Sequence, residues 1–298
     1  MHEEIHPDDM TDPSTTLLVV LVAAVLTFAL SFVPFAGLLT VPLRLFSTFI
    51  HEAGHALAAL LSFGSVKGLV VFPNGSGVTY TSGGWRFLIS SAGYLGTTLF
   101  GVWMILSARR TSSARLALGL TGLVTIFLTA MYAGKGSAMP VIAGAVVSLG
   151  LVVFALARSS KQKLVTAGLL SAAACVVFGT FSYLWFSGGL LTWILGLGCG
   201  SLLLAAGHFT GGDVSKLVVA FLGVWVSLDA LQDVFGLIGL SALTNAHTDA
   251  VNMSNFYALP PVFWALLWSA IAVVMVTGAV GYIFWEFKRQ GERRRLSP

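Results

Sequence analysis

Long apolar stretches alternate with short polar breaks through most of this 298-residue chain. A membrane-crossing helix needs about 20 predominantly apolar residues. Runs of that kind lie near 17–39, 43–62, 86–107, 115–133, 138–157, 164–186, 189–206, 215–240 and 261–285. The pattern predicts an all-α polytopic membrane protein with about nine transmembrane helices. The break at 64–84 differs from the rest. Two β-favouring stretches, 64–72 and 78–84, flank the turn-rich Pro73-Asn74-Gly75-Ser76-Gly77. That spacing predicts a β-hairpin between the second and third spans. Its outer strand could hold an extended peptide by strand addition.

Composition agrees with the pattern. The chain is 56% hydrophobic and 9% charged, against about 25% charged for ordinary soluble domains. So few ionic groups cannot cover a water-facing surface, and lipid is the solvent that suits them. The net charge of +4 therefore does not argue for nucleic acid. Arg109, Arg110 and Arg115 lie between the third and fourth runs, and Arg158, Lys161 and Lys163 between the fifth and sixth. Lys216 opens the eighth run, and Lys288, Arg289, Arg293, Arg294 and Arg295 follow the ninth. Nine alternating spans put all of them on the cytoplasmic side. The expected organisation is an acidic extracytoplasmic tail (1–16), a single membrane-embedded domain (17–287) and a basic cytoplasmic tail (288–298). A multi-pass location, in the cell membrane, follows. Cys175 and Cys199 sit in apolar runs without a Cys-x-x-Cys partner and read as small buried hydrophobes.

Only three acids fall inside apolar runs: Glu52, Asp229 and Asp233. An ionisable group at the bilayer centre costs about 2.5–3.5 kcal/mol on insertion scales, so each requires a reason. Glu52 belongs to His51-Glu52-Ala53-Gly54-His55. Four residues of helix bring His51 and His55 onto one face, a turn apart. Two imidazoles so placed can share a tetrahedral Zn2+. Glu52 is then positioned as general base toward a zinc-bound water.

A hydrolytic zinc site takes three protein ligands. Asp229 and Asp233, at i and i+4 in the eighth run, share a helix face. Reckoned from helix starts at 43 and near Leu217, the histidines lie about 12–18 Å deep, Asp229 about 18 Å and Asp233 about 24 Å. Asp229 is the expected third ligand, with Asp233 and Asp249 kept open. His2 and His6 fall in the acidic tail, and His208 and His247 near span ends.

His51-Glu52-x-x-His55 within a span, with Leu228-Asp229 on a later one, resembles the site-2 protease family of intramembrane zinc metallopeptidases. Further elements are similar to its compact branch. They are Ser76-Gly77-Val78-Thr79, Ala92-Gly93-Tyr94-Leu95-Gly96, and Thr248-Asp249-Ala250 followed by Pro260, Trp264 and Trp268. One departure stands out: Ala230, not Gly, follows Asp229. The resemblance implies a catalytic zinc and transmembrane protein substrates. Two other functions fit parts of the pattern: an ion-coupled transporter using the embedded acids, and a catalytically inactive relative that binds membrane partners. The clustered Gly93, Gly96 and Gly101 read as close helix packing.

Overall fold

A computed structural model describes residues 13–30, 36–135, 189–243 and 247–296. Five described helices are long and apolar enough to cross a membrane. They are α3 (Arg86–Ser107), α4 (Thr111–Tyr132), α5 (Gly189–Phe209), α6 (Gly212–Leu243) and the apolar part of α8 (Pro261–Leu296). Helix α2 (Ala36–Leu61) carries Arg44, His51, Glu52 and His55, which keep it off that list. Helix α1 (Pro13–Leu30) and the short α7 (Asp249–Tyr257) complete the set.

The expected count of nine is thus not reproduced among the described residues. The runs at 138–157 and 164–186 lie outside them. Of the run at 17–39, the part up to Leu30 belongs to α1 and the part from Ala36 to α2, with 31–35 outside the described residues. The basic stretch expected as a tail from 288 continues α8 through Leu296.

In the spans only 33–56% of the most apolar window is buried. The remaining face carries large apolar side chains such as Leu116, Leu123, Phe127, Ile194, Leu202 and Val274, all exposed. With every backbone group bonded inside its own helix, such faces suit lipid. The inward faces are lined with small residues. A Cβ on Gly223 of α6 would lie 2.7 Å from the Ile105 nitrogen of α3, and one on Gly122 of α4 would lie 2.6 Å from the Gly200 carbonyl of α5. Backbones at such range are the expected way for helices to associate where water gives no hydrophobic drive.

The expected hairpin is present. Strand β1 (Ser65–Val71) pairs antiparallel with β2 (Gly77–Ser82), from Ser65↔Ser82 to Val71↔Gly77, with an irregularity between Val66 and Gly68. Gly75, at φ +86°, makes the turn, and the Asn74 side-chain oxygen accepts from the Ser76 nitrogen at 3.0 Å. A two-residue strand, β3 (Gly134–Lys135), joins the other side of β1, giving the order β2-β1-β3. Strand β1 is nearly all buried, and Val71 donates its N–H to Thr192 Oγ1 of α5 at 2.8 Å. Strand β2 is the sheet edge and lies against α2. Its turn is tied down by Thr48 of α2, whose hydroxyl donates to the Gly75 carbonyl at 2.8 Å.

Candidate metal centre

Helix α2 brings His51 and His55 a turn apart, as the spacing requires. Their Nε2 atoms lie 3.1 Å from each other. The carboxylate that meets them is that of Asp249: its Oδ2 is 3.3 Å from His51 Nε2 and 3.2 Å from His55 Nε2. These three residues form a group whose donor atoms could hold one metal ion. Ligands at about 2.0 Å from a tetrahedral zinc lie about 3.3 Å from one another, by the geometry of a tetrahedron. The three separations observed here match that edge.

Asp229, the expected third ligand, is not in this group. Its carboxylate is hydrogen-bonded by Ser47, one turn before His51 on α2, and feels the charge of Arg44 through space. Counted from the observed helix starts, Ala36 and Gly212, the depth reckoning still favours Asp229; the two helices are offset along their axes, and Ser47 is the residue that bonds it. The two helices run in the same sense, so Ser47 meets Asp229 and the level of His51 falls at Asp233. Asp249, kept open in the sequence reading, reaches the histidines from the first turn of α7. Thr248 caps that helix, its hydroxyl oxygen accepting from the Val251 nitrogen at 3.3 Å. Burial alone would raise the Asp249 carboxyl. The charge of His55 and hydrogen bonds with both rings outweigh it and hold the group well below the usual carboxylate range.

The surroundings orient the donors. His55 Nδ1 lies 2.6 Å from the Ile89 carbonyl of α3. A hydrogen bond there keeps a proton on Nδ1, so Nε2 is the nitrogen that would give its lone pair to a metal, a common arrangement for a metal-binding imidazole. Tyr94 meets the His51 ring edge-on at 4.6 Å between centroids and stacks on Trp268 at 5.7 Å. Glycines allow the approach of α3. A Cβ on Gly54 would be 2.3 Å from the Ala92 carbonyl, and one on Gly93 would be 2.4 Å from His51 Nε2 and 2.5 Å from His55 Nε2. Gly93 was expected as helix packing; it also leaves room for both rings.

Glu52 is buried. Thr79 of β2 donates its hydroxyl to Glu52 Oε2 at 2.6 Å, 3.0 Å from the Glu52 backbone carbonyl. A Cβ on Gly77 would be 2.6 Å from Glu52 Oε1. Residues 77 and 79 share a strand face, so β2 both makes space for Glu52 and holds it. The sequence reading missed Thr79, though the Gly-x-Thr alternation in the hairpin carried the signal. A cleft of about 970 Å³ opens beside Glu52, between β2, α6 and α7. His247 lines it, whereas His208 ends α5 against Phe209. His2 and His6 lie outside the described residues.

Helices with lipid-facing apolar surfaces around a cluster of two histidines, an aspartate and a buried glutamate define a multi-pass membrane protein with a candidate metal centre. The chain belongs to the Peptidase M50B-like family, whose model matches residues 16–166 and 128–279; it is thereby a member of the site-2 protease group of peptidases. No curated protein and no solved structure matches the chain.

Proposed function

We propose that this protein is an intramembrane zinc endopeptidase that cuts transmembrane protein substrates. His51, His55 and Asp249 are its metal ligands and Glu52 is its general base. The observation that carries the proposal is the triangle of donor atoms at 3.1, 3.2 and 3.3 Å. The donor chemistry fits the metal. Two imidazoles and one carboxylate are a known catalytic zinc set, and three protein ligands leave a coordination position open. Zinc, when bound, supplies a Lewis acid that polarises the peptide carbonyl and acidifies water.

The chain's own groups supply the rest. Glu52, adjacent to His51 and open to the cleft, takes a proton from the attacking water and passes it to the leaving amine. Thr79 fixes which carboxylate oxygen is free by binding Oε2. A helical substrate has its amides bonded internally, so the segment to be cut unwinds first. The outer edge of β2 then offers N–H and C=O groups to the extended segment. That edge borders the cleft beside Glu52.

The test is metal content and turnover on purified protein. Wild type should carry about one zinc per chain, as a three-ligand site implies, and cleave a transmembrane helical peptide. Glu52→Gln should keep the zinc and lose cleavage. Normal cleavage by Glu52→Gln would sink the mechanism, and absence of zinc from wild type would sink the metal assignment.

A further inference from the structure

The cleft has an acidic residue for which the peptidase mechanism has no use. Asp233 lies on α6, one turn beyond Asp229, and its side chain is exposed into the cleft. The two aspartates differ in their surroundings. Asp229 accepts a hydrogen bond from Ser47, and Arg44 acts on it through space. Asp233 has no hydrogen bond or ion pair with any described residue; Asp229, His51 and Arg44 act on it only through space. Gln232, also exposed, lines the cleft beside it.

The next turn of α6 is shaped to receive something. Gly236 lines the cleft, and a Cβ there would meet nothing within 4 Å. Beyond it, Leu237 and Leu240 continue the same wall. On the α6 side, then, the cleft wall runs from apolar positions to a carboxylate and an amide. A long side chain with an aliphatic stem and a cationic head has that form: the stem lies along apolar surface and the head reaches the acid. Charge points the same way. Glu52, Asp233 and Asp249 line the cleft, whereas Arg86, its only described Lys or Arg, sits over the Phe256 ring at 4.0 Å. An ionisable group inside a span marks a functional contact whose partner is to be sought. Among the described residues Asp233 has none.

The geometry points to Asp233, with Gln232, as a specificity subsite that takes a Lys or Arg side chain of the substrate beside the bond to be cut. The inference rests on the peptidase reading for its substrate class. Asp233 lies at the level of His51, so an extended peptide between β2 and α6 passes it next to the donor triangle. The partner cation comes from the substrate, and the ion pair forms only when the segment has unwound into the cleft. Asp233 acts on binding and choice of substrate, not on the proton transfers assigned to Glu52.

The experiment separates this subsite from catalysis by measuring binding to the non-cleaving Glu52→Gln protein. The probes are fluorescent apolar peptides of about 24 residues, long enough to span a bilayer. Each carries a central Gly-X-Gly with X as Lys, Gln or Glu. The Lys probe should bind about tenfold more tightly than the Gln probe, a difference of about 1.4 kcal/mol. Asp233→Asn in the same background should bring the two within about twofold, close to 0.4 kcal/mol. Asp233→Lys should favour the Glu probe. Equal binding of Lys and Gln probes to the parent, or a Lys preference that survives Asp233→Asn, would overturn the subsite. Zinc content equal to the parent's confirms that each variant keeps its site. Wild-type cleavage of the probes is scored separately. Charge-selective binding without any cleavage would leave the subsite standing and remove the peptidase reading.

Discussion

Thr79 reaches across from the edge strand and hydrogen-bonds the Glu52 carboxylate at 2.6 Å. The bond links strand β2 to the residue proposed as general base, so the two elements are positioned together. A hydrogen bond to a charged group contributes about 1.5–3 kcal/mol. If that energy holds Glu52 in its working orientation, Thr79→Val should lower kcat by about 10–100-fold. Zinc content should stay at the wild-type level, because Thr79 touches no donor of the triangle. Thr79→Ser, which keeps the hydroxyl, should recover most of the rate. A Thr79→Val enzyme with normal kcat would show that Glu52 is held by its burial alone.

Gly93 presents a different kind of dependence. A methyl group there would sit 2.4–2.5 Å from the Nε2 atoms of both histidines. Overpacking in a filled interior costs about 1–3 kcal/mol. Here the atoms that must give way are the metal donors and the α3 backbone. Gly93→Ala should therefore weaken zinc binding by tenfold or more, about 1.4 kcal/mol, read by competition with a chromophoric chelator. Gly119→Ala on α4, where a Cβ would meet nothing within 4 Å, is the control and should bind zinc as wild type does. Equal affinity in the two variants would remove Gly93 from the site.

The third ligand separates two aspartates that the sequence left in competition. Asp249→Ala should lose zinc, since it deletes one corner of the triangle. Asp229→Ala should keep it, because Asp229 is hydrogen-bonded by Ser47 and stands outside the triangle. Retention by the first variant and loss by the second would restore the sequence's first expectation.

That competition marks the limit of what the chain alone conveys. The His51-Glu52-x-x-His55 element was legible because one helix sets its geometry within a single turn. The α3 span was legible to the residue, since Arg86 and the polar residues after Ser107 bound it sharply. The hairpin was legible because Gly75 sits in a turn-rich centre between two β-favouring stretches. Asp249 was harder to find. It reaches the histidines from a nine-residue helix 198 residues further along the chain than His51, and no periodicity relates position 249 to position 51. The partnership of Thr79 with Glu52 is likewise a contact between a strand and a helix 27 residues apart.

Metal removal should be felt first in α7. This helix has nine residues, below the roughly 12–15 at which an isolated helix becomes even marginally stable in water. Its buried anchors are Ala250 and Met253, which pack with Trp264, Trp268 and Val234. Its tie to α2 is Asp249, whose carboxylate meets both histidines. A bound zinc would be held by all three donors. Once a chelator removes it, the tie weakens to hydrogen bonds that depend on the protonation of the rings. Amide exchange across 249–257 should then rise by tenfold or more, about 1.4 kcal/mol of lost local stability. Helices α3 and α6, packed through Gly101 and Gly223, should exchange as before. Asp249→Ala should show the fast α7 exchange with or without chelator. Unchanged exchange in α7 after complete zinc removal would mean that Ala250 and Met253 suffice to hold the helix, and that the carboxylate is delivered to the histidines by packing alone.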